Sequence, residues 1–147
     1  MIEPHIHKAL MKSVLRGTHK RYQTGCVIVN KKGVIISTGC SHSSHMRMSE
    51  LHSIHAEIHA LANGRHEQLK GCKAYVLTMA RKSQNFTFSR PCLTCAIALY
   101  TAGIKEVIYH NGDNHPMKHQ WNYAYLDELI EKSNLKVYSR RKFAYRS

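Results

Sequence analysis

Two short segments of the chain contain side chains that together could hold a metal ion and move protons. The first carries His55 and Glu57, and the second carries Pro91 followed by Cys92 and Cys95. One imidazole and two thiolates form a three-ligand zinc site, which leaves the fourth tetrahedral position for water. Glu57 is then available as a base that does not ligate the metal. Because a structural zinc needs neither an open position nor a base, this set indicates catalysis.

A four-ligand structural zinc is the alternative interpretation of the same residues. It would need a fourth cysteine or histidine in addition to His55, Cys92 and Cys95. The sequence offers no second Cys-x-x-Cys pair, and no pair of histidines at a spacing that suits these ligands. We therefore favour the three-ligand site.

Both segments are predicted to lie at the start of a helix. His55–Ala62 has helical composition and stops at an Asn-Gly pair, whereas Pro91 is a natural first-turn residue for a helix through about Ala102. Residues three apart are neighbours on a helix, so Cys92 and Cys95 would share one face. The positive end of the helix dipole also favours their thiolates.

The rest of the pattern alternates helices with short apolar strands. A helix is predicted over residues 5–16, followed by a β-hairpin of strands Thr24–Val29 and Val34–Thr38. The other predicted elements are a loop over 39–54, strands Cys72–Thr78, Glu106–Tyr109 and Leu135–Tyr138, a basic loop over 80–90, and a helix Tyr123–Lys132. This order predicts an α/β fold with a mixed five-stranded sheet and helices on both faces. A chain of 147 residues suits one domain, 1–147, with 139–147 as a basic tail.

The charge balance indicates an anionic partner. Twenty-two Lys and Arg residues against nine Asp and Glu residues give a net charge of +13 with histidine neutral. Such a field favours nucleic acid, although free nucleotides and acidic membranes also qualify. A solvated surface that is basic without a partner is the alternative.

The cysteine content and the apolar runs indicate where the protein works. Five cysteines are an odd number, and no secretory signal precedes them, so reduced thiols or metal ligands are expected rather than disulfides. The apolar runs are far shorter than a membrane span. We expect a protein of the cytoplasm or nucleus, with no membrane partner.

At these motifs the chain resembles the cytidine and deoxycytidylate deaminase superfamily, whose signature is His-x-Glu followed by Pro-Cys-x-x-Cys. The resemblance extends from Thr24 to about Asp113. It implies a three-layer sandwich in which Zn²⁺ is held by His55 and by the two cysteines of the second motif. It also implies that Glu57 moves protons while water replaces the amino group of cytosine, giving uracil. With histidine as its first ligand, the chain is similar to the deoxycytidylate, polynucleotide and tRNA deaminase branches of this superfamily.

The resemblance also implies substrate contacts. The backbone around Ala56 and Pro91 would line the base pocket. A Gly-x-Asn pattern usually supplies an asparagine to the sugar, but this chain has Gly-Cys-Ser-His there, so Ser41 or His42 would replace it. Arg90 stands where tRNA adenosine deaminases commonly have glutamate, which weakens an adenosine interpretation. The long basic loop before the Pro-Cys motif is similar to that of small deaminase-like proteins of phages and large viruses.

Aromatic residues near these motifs could contact a base. Tyr109 ends a predicted strand and could form a wall of the pocket, or it could belong to the core. Phe86 and Phe88 lie between basic residues, as on surfaces that bind single strands, although packing beneath the loop is equally compatible. The basic, aromatic tail over 139–147 could likewise contact nucleic acid, or it could be a flexible basic end.

A second zinc site in the loop over 39–54 is a further possibility. Its ligands would be Cys40, His42, His45 and His52, as in some phage deoxycytidylate deaminases. We favour a polar loop that is rich in histidine by chance, because nothing in the sequence fixes ligand geometry. His59, one turn after His55, is interpreted as a surface or packing residue.

Three functions are compatible with the sequence. The first is a cytosine deaminase acting on single-stranded DNA or RNA, and the second is a deaminase of free deoxycytidylate or a related nucleotide. The third is a zinc-stabilised nucleic-acid-binding module without catalysis. We rank them in that order, because the charge favours a polynucleotide and Glu57 has no use in a purely structural site.

Overall fold

A computed structural model describes residues 2–43, 53–114 and 120–133. Its helices are α1 (Pro4–Arg16), α2 (Ala56–Asn63), α3 (His66–Leu69), α4 (Leu93–Thr101) and α5, which includes residues 126–133. Its strands are β1 (Tyr22–Val29), β2 (Ile35–Cys40), β3 (His42–Ser43), β4 (Ser53–Ile54), β5 (Lys73–Ala80), β6 (Phe86–Thr87), β7 (Glu106–His110) and β8 (Trp121–Tyr125).

Six of these strands form one mixed sheet. The order is β2-β1-β5-β7-β8, and β6 pairs with β5. Only the β5–β7 pair is parallel among these, and α4 makes the crossover between its two strands. The predicted β1–β2 hairpin and the mixed sheet are both confirmed. Strands β3 and β4 pair with each other outside the main sheet.

Helices cover both faces of the sheet. On one face, α1 buries Ile6, Leu10 and Val14 against alternate residues of β1 and β5. On the other face, α2, α4 and α5 pack on a second cluster that includes Ala60, Leu99 and Leu126. The two clusters take opposite side chains of the same strands, as the period of two requires. The predicted α/β three-layer sandwich is confirmed.

Two glycines allow helices to approach the strands closely. A Cβ atom at Gly39 of β2 would lie 2.3 Å from Ala60 N and 2.4 Å from Ala56 O, both on the backbone of α2. A Cβ atom at Gly25 of β1 would lie 2.8 Å from Val14 N on α1. Only a residue without a side chain fits at either point. Gly39 therefore sets how deeply α2 sits on the sheet.

The region after β7 differs from the sequence prediction. Trp121–Tyr125, which the sequence predicted as the beginning of the last helix, is a strand that pairs antiparallel with β7. Helix α5 begins only at residue 126, where the apolar spacing of Leu126 and Leu129 turns inward. Phe86–Thr87, predicted as loop, also pairs with β5. The predicted strand Leu135–Tyr138 and the tail over 139–147 lie outside the described residues. None of the helices described is both long and apolar enough to cross a membrane.

Candidate active site

The candidate metal ligands meet where α2 and α4 begin. His55 is the N-cap residue of α2, Cys92 is the N-cap residue of α4, and Cys95 lies in the first turn of α4. The Sγ atom of Cys95 lies 3.3 Å from His55 Nδ1, and that of Cys92 lies 3.7 Å from the same nitrogen. The three ligand atoms all lie within 4.8 Å of one another. We call this group the active-site cluster.

These distances fit a tetrahedral zinc ion. With Zn–S of about 2.3 Å and Zn–N of about 2.0–2.1 Å, a nitrogen and a sulfur ligand lie about 3.6 Å apart. The two observed separations, 3.3 and 3.7 Å, lie on either side of that value. One imidazole and two sulfur ligands also suit zinc chemically. The cluster therefore fits Zn²⁺ with three protein ligands.

Electrostatics at the cluster also call for a cation. Burial, followed by the charges of Glu57 and Cys92, raises the pKa of the Cys95 thiol far above its usual range. Burial likewise raises the pKa of Glu57, against the lowering effects of a backbone amide and of His55. A divalent cation reverses this balance, because a metal-bound thiol is deprotonated outright. The buried Glu57 and Cys95, with the exposed Cys92 beside them, are thus compatible as anions when a metal is bound.

Glu57 lies in the first turn of α2, two residues after His55. Its side chain is only 4% exposed, and it forms a hydrogen bond with Cys95. A carboxyl group is rarely buried to this extent without a partner or a function. It is placed beside the metal ligands and opens onto the neighbouring cavity.

A cavity of about 230 Å³ opens next to the cluster, which is room for one small ring system rather than a drug-sized ligand. Four of the predicted substrate-binding residues line it: Ser41, Ala56, Phe88 and Arg90. Three others do not line the cavity that the described residues form: His42, Pro91 and Tyr109. Pro91 is buried, and His42 lies beside Cys40 and His59.

Tyr109 is a core residue rather than a wall of the cavity. Its side chain is 6% exposed and belongs to the cluster under α2 and α4. The ring of Phe88 lies over it, edge to face, with 5.6 Å between ring centroids. Phe88, which is 55% exposed at the rim, therefore offers the aromatic contact that was expected of Tyr109. Phe86, the other loop aromatic, packs against His110 at 5.0 Å.

The segment between α1 and β1, together with the start of β1, contributes residues that no sequence motif indicated. His19, Tyr22 and Thr24 all line the cavity. Nδ1 of His19 accepts the backbone N–H groups of Arg21 and Tyr22, at 3.3 and 3.4 Å. No motif marks this segment, and only the order of the strands brings it to the metal ligands. Its one visible signal is the polar and aromatic composition of residues 18–22, directly before a buried strand.

Arg81 holds this segment in place. Its Nε donates to the carbonyl of His19 at 3.1 Å, and an Nη donates to that of Gly17 at 2.8 Å. Arg90, by contrast, lies with its guanidinium carbon 5.6 Å from the centroid of the Phe88 ring. Arg81 therefore braces the segment beside the cavity, whereas Arg90 is exposed at the cavity rim.

Comparisons with known proteins agree with this geometry. The model of the cytidine and deoxycytidylate deaminase zinc-binding region matches residues 2–111. No curated protein gives a significant match by sequence.

Solved structures of cytidine deaminases share the fold. The enzyme from Burkholderia pseudomallei matches at a TM-score of 0.60 and 15% identity, covering 88% of this chain and 96% of that one. The enzyme from Mycobacterium tuberculosis matches at 0.53 and 15%, covering 88% and 94%. That from Mycobacterium leprae matches at 0.52 and 16%, covering 84% and 92%. At these identities the structures support the fold alone, whereas the family match spans three quarters of the sequence. The chain therefore belongs to the cytidine and deoxycytidylate deaminase zinc-binding family.

Proposed function

We propose that this protein hydrolyses the amino group of cytosine to give uracil and ammonia, with single-stranded nucleic acid as its preferred substrate. Family membership supports zinc-dependent deamination in general. The proposal of a nucleic-acid substrate rests on the rim of the cavity, where the exposed rings of Tyr22 and Phe88 and the exposed Arg90 flank a space that admits one base.

The active-site cluster supplies the means of hydrolysis. His55, Cys92 and Cys95 would hold the zinc ion, which when bound lowers the pKa of water and so provides a nucleophile near neutral pH. Glu57 would accept a proton from the attacking water and deliver protons to the ring nitrogen and to the departing amine. Its buried position beside the metal ligands and the cavity supports this role, because a general base must lie within reach of the proton that it takes.

Polar groups in the cavity would hold the base and its sugar. The hydroxyl of Ser41 accepts the backbone N–H of Thr24 at 2.9 Å, which leaves its own proton to donate to a ligand. Nδ1 of His19 already accepts two backbone N–H groups, so the neutral ring carries its proton on Nε2. Ser41 and His19 would therefore both act as donors, suited to the carbonyl of cytosine or to sugar oxygens.

The rim favours a strand over a single nucleotide. Tyr22 and Phe88 are 48% and 55% exposed, and Arg90 lies over the Phe88 ring. Further exposed cations are Lys20 and Arg21, which directly precede Tyr22, and Lys82, which follows β5. Aromatic faces for stacking, combined with cations along a backbone path, are how proteins bind single strands without reading their sequence. A free nucleotide would need only one phosphate pocket.

A deaminase of free deoxycytidylate is the second candidate. The small cavity supports it, because about 230 Å³ accommodates a base without any neighbouring nucleotides. A zinc-stabilised binding module without catalysis is disfavoured by the buried carboxyl group of Glu57, which would serve no purpose beside a purely structural metal.

A substrate panel distinguishes these functions. The protein would be incubated with free dCMP, free CMP, and single-stranded DNA and RNA oligonucleotides that contain one cytosine, and uracil would be measured. We expect faster turnover per cytosine on an oligonucleotide than on either free nucleotide. Faster turnover of dCMP would replace the polynucleotide proposal with the nucleotide one. Uracil in none of the reactions, from protein that contains zinc, would favour the binding module.

A further inference from the structure

A second group of metal donors lies where the end of β2 meets α2. It consists of Cys40, His42 and His59, each of them half-buried. One ligand atom from each lies within 4.8 Å of the ligand atoms of the other two. None of the three lines the cavity of the active site, and none belongs to the active-site cluster. We call this group the β2–α2 cluster.

The backbone of Cys40 orients both imidazole rings. Its N–H donates to Nδ1 of His59 at 3.1 Å, and its carbonyl lies 3.0 Å from Nδ1 of His42. A carbonyl only accepts, so Nδ1 of His42 carries a proton and its Nε2 is left with a lone pair. A histidine that donates one nitrogen to a backbone carbonyl and offers the other to a metal is the usual arrangement at metal sites.

The His59 ring is also held close to the other donors. Its Nδ1 is unprotonated and directs a lone pair toward Cys40, whose backbone N–H now occupies it. The ring lies edge to face against that of His42, with 4.6 Å between centroids. Because a metal ion is a stronger partner for a nitrogen lone pair than one amide proton, binding at this nitrogen would displace that hydrogen bond.

We propose that Cys40, His42 and His59 form a second zinc site. One thiolate and two imidazoles form a donor set that selects zinc over magnesium or calcium, which prefer oxygen ligands. The three side chains come from three different elements, β2, β3 and α2. A metal here would therefore join the end of β2 to α2, the helix whose first turn carries Glu57. Three protein ligands would leave water as the fourth. Among the described residues no carboxylate belongs to the group, so we assign it a role in joining these elements rather than in catalysis.

Counting zinc in the whole protein tests this proposal. Protein prepared with zinc and dialysed against buffer without metal would be analysed by inductively coupled plasma mass spectrometry. We expect about two zinc ions per chain in the wild type, and about one in Cys40→Ser and in His59→Gln. His66→Gln, which changes an exposed histidine of α3, is the matched control and should keep both ions.

The outcome does not depend on the activity proposed above, because metal content is read without any substrate. A wild-type protein with only about one zinc ion per chain would overturn the proposal. So would two ions that persist in both Cys40→Ser and His59→Gln. If Cys40→Ser does not fold, the wild-type count and His59→Gln carry the test, since glutamine retains hydrogen bonding while removing the imidazole ligand.

Discussion

The active-site cluster and the β2–α2 cluster use the same kinds of donor in different surroundings. Each combines cysteine with histidine, and each takes a histidine from α2 or its N-cap. The active-site cluster has the buried Glu57 beside it and a cavity in front of it. In the β2–α2 cluster, the backbone of Cys40 holds both rings, and no carboxylate belongs to the group. Metal donors alone indicate binding, whereas a neighbouring base and a cavity indicate chemistry.

The largest expected effect separates the two clusters directly. Cys95→Ser should remove the zinc ion of the active-site cluster and with it all measurable deamination, because the nucleophile depends on that metal. The melting temperature should also fall, since a ligand that binds only the folded state contributes to stability. Zinc content, activity and thermal unfolding would be measured on the same preparation.

Cys72→Ser is the matched control for this substitution. It makes the same exchange of thiol for hydroxyl at a buried cysteine whose Sγ donates to the carbonyl of Gln68, outside both clusters. Zinc content and activity should remain close to those of the wild type. A Cys95→Ser protein that keeps its full zinc content would mean that this ligand set is wrong.

A smaller effect is expected from widening the contact between β2 and α2. Gly39→Ala would place a methyl group 2.3 Å from Ala60 N, so α2 must move away from the sheet. Forcing an extra carbon into a close-packed contact costs about 1–3 kcal/mol or more of unfolding free energy. Because α2 carries Glu57 and His59 and follows His55, both clusters should lose affinity for zinc.

Gly25→Ala tests whether that result is specific. Its Cβ atom would meet α1 on the opposite face, at 2.8 Å from Val14 N. We expect urea unfolding to show a comparable loss of unfolding free energy. Turnover and zinc content should be preserved in the folded fraction. Equal losses of zinc in both variants would show that the contact with α2 has no special role in either cluster.

The smallest expected effect concerns Arg90, at the rim of the active-site cavity, and Lys82, an exposed lysine between β5 and β6. Replacing Lys82 and Arg90 by serine should reduce the number of phosphates that a bound strand touches. For single strands, the logarithm of affinity falls with the logarithm of salt concentration at a slope of about −0.7 per phosphate neutralised. Each phosphate that the variant no longer binds should therefore make this slope shallower by about 0.7. Fluorescence anisotropy of a labelled oligonucleotide across a salt series would measure it.

Lys8→Ser with Lys12→Ser is the control of equal charge. Both lysines are exposed on α1, on the other face of the sheet. Their removal should leave the slope nearly unchanged. Arg81 is excluded from the test pair because it hydrogen-bonds to the carbonyls of Gly17 and His19, so its loss would disturb the cavity itself. Equal slopes in both double variants would contradict a strand path along this rim.

The sequence predicted the fold where local signals were strong. The hairpin, the strand at Cys72–Thr78, and the helices after His55 and Pro91 each had clear apolar spacing or end signals, and β1, β2, β5, α2 and α4 confirm them. The prediction for Trp121–Tyr125 was wrong because the helix indicated by the spacing of Leu126 and Leu129 was extended too far toward the N-terminus. Alternating residues there pair with β7, and that tertiary contact decides the conformation of a short segment.

The candidate site was predictable only in part, for a related reason. His55, Glu57, Cys92 and Cys95 stand at spacings fixed by helix starts, so sequence alone could group them. His19 and Tyr22 reach the cavity because β1 is an interior strand between β2 and β5, which no local pattern reveals. His59 was interpreted as a surface or packing residue, because its place beside Cys40 depends on how Gly39 lets α2 approach β2.

Removing Glu57 while the metal stays bound tests the proposed acid–base chemistry. Glu57→Ala should retain the zinc of the active-site cluster, and the fold as seen by circular dichroism. It should lose at least about 10²–10⁴ in turnover, the factor that general acid–base catalysis supplies. Glu67→Ala, which changes an exposed glutamate on α3, should behave as the wild type. Uracil release and zinc content would be measured on the same samples. A Glu57→Ala protein that holds zinc and releases uracil at nearly the wild-type rate would contradict the proposed chemistry.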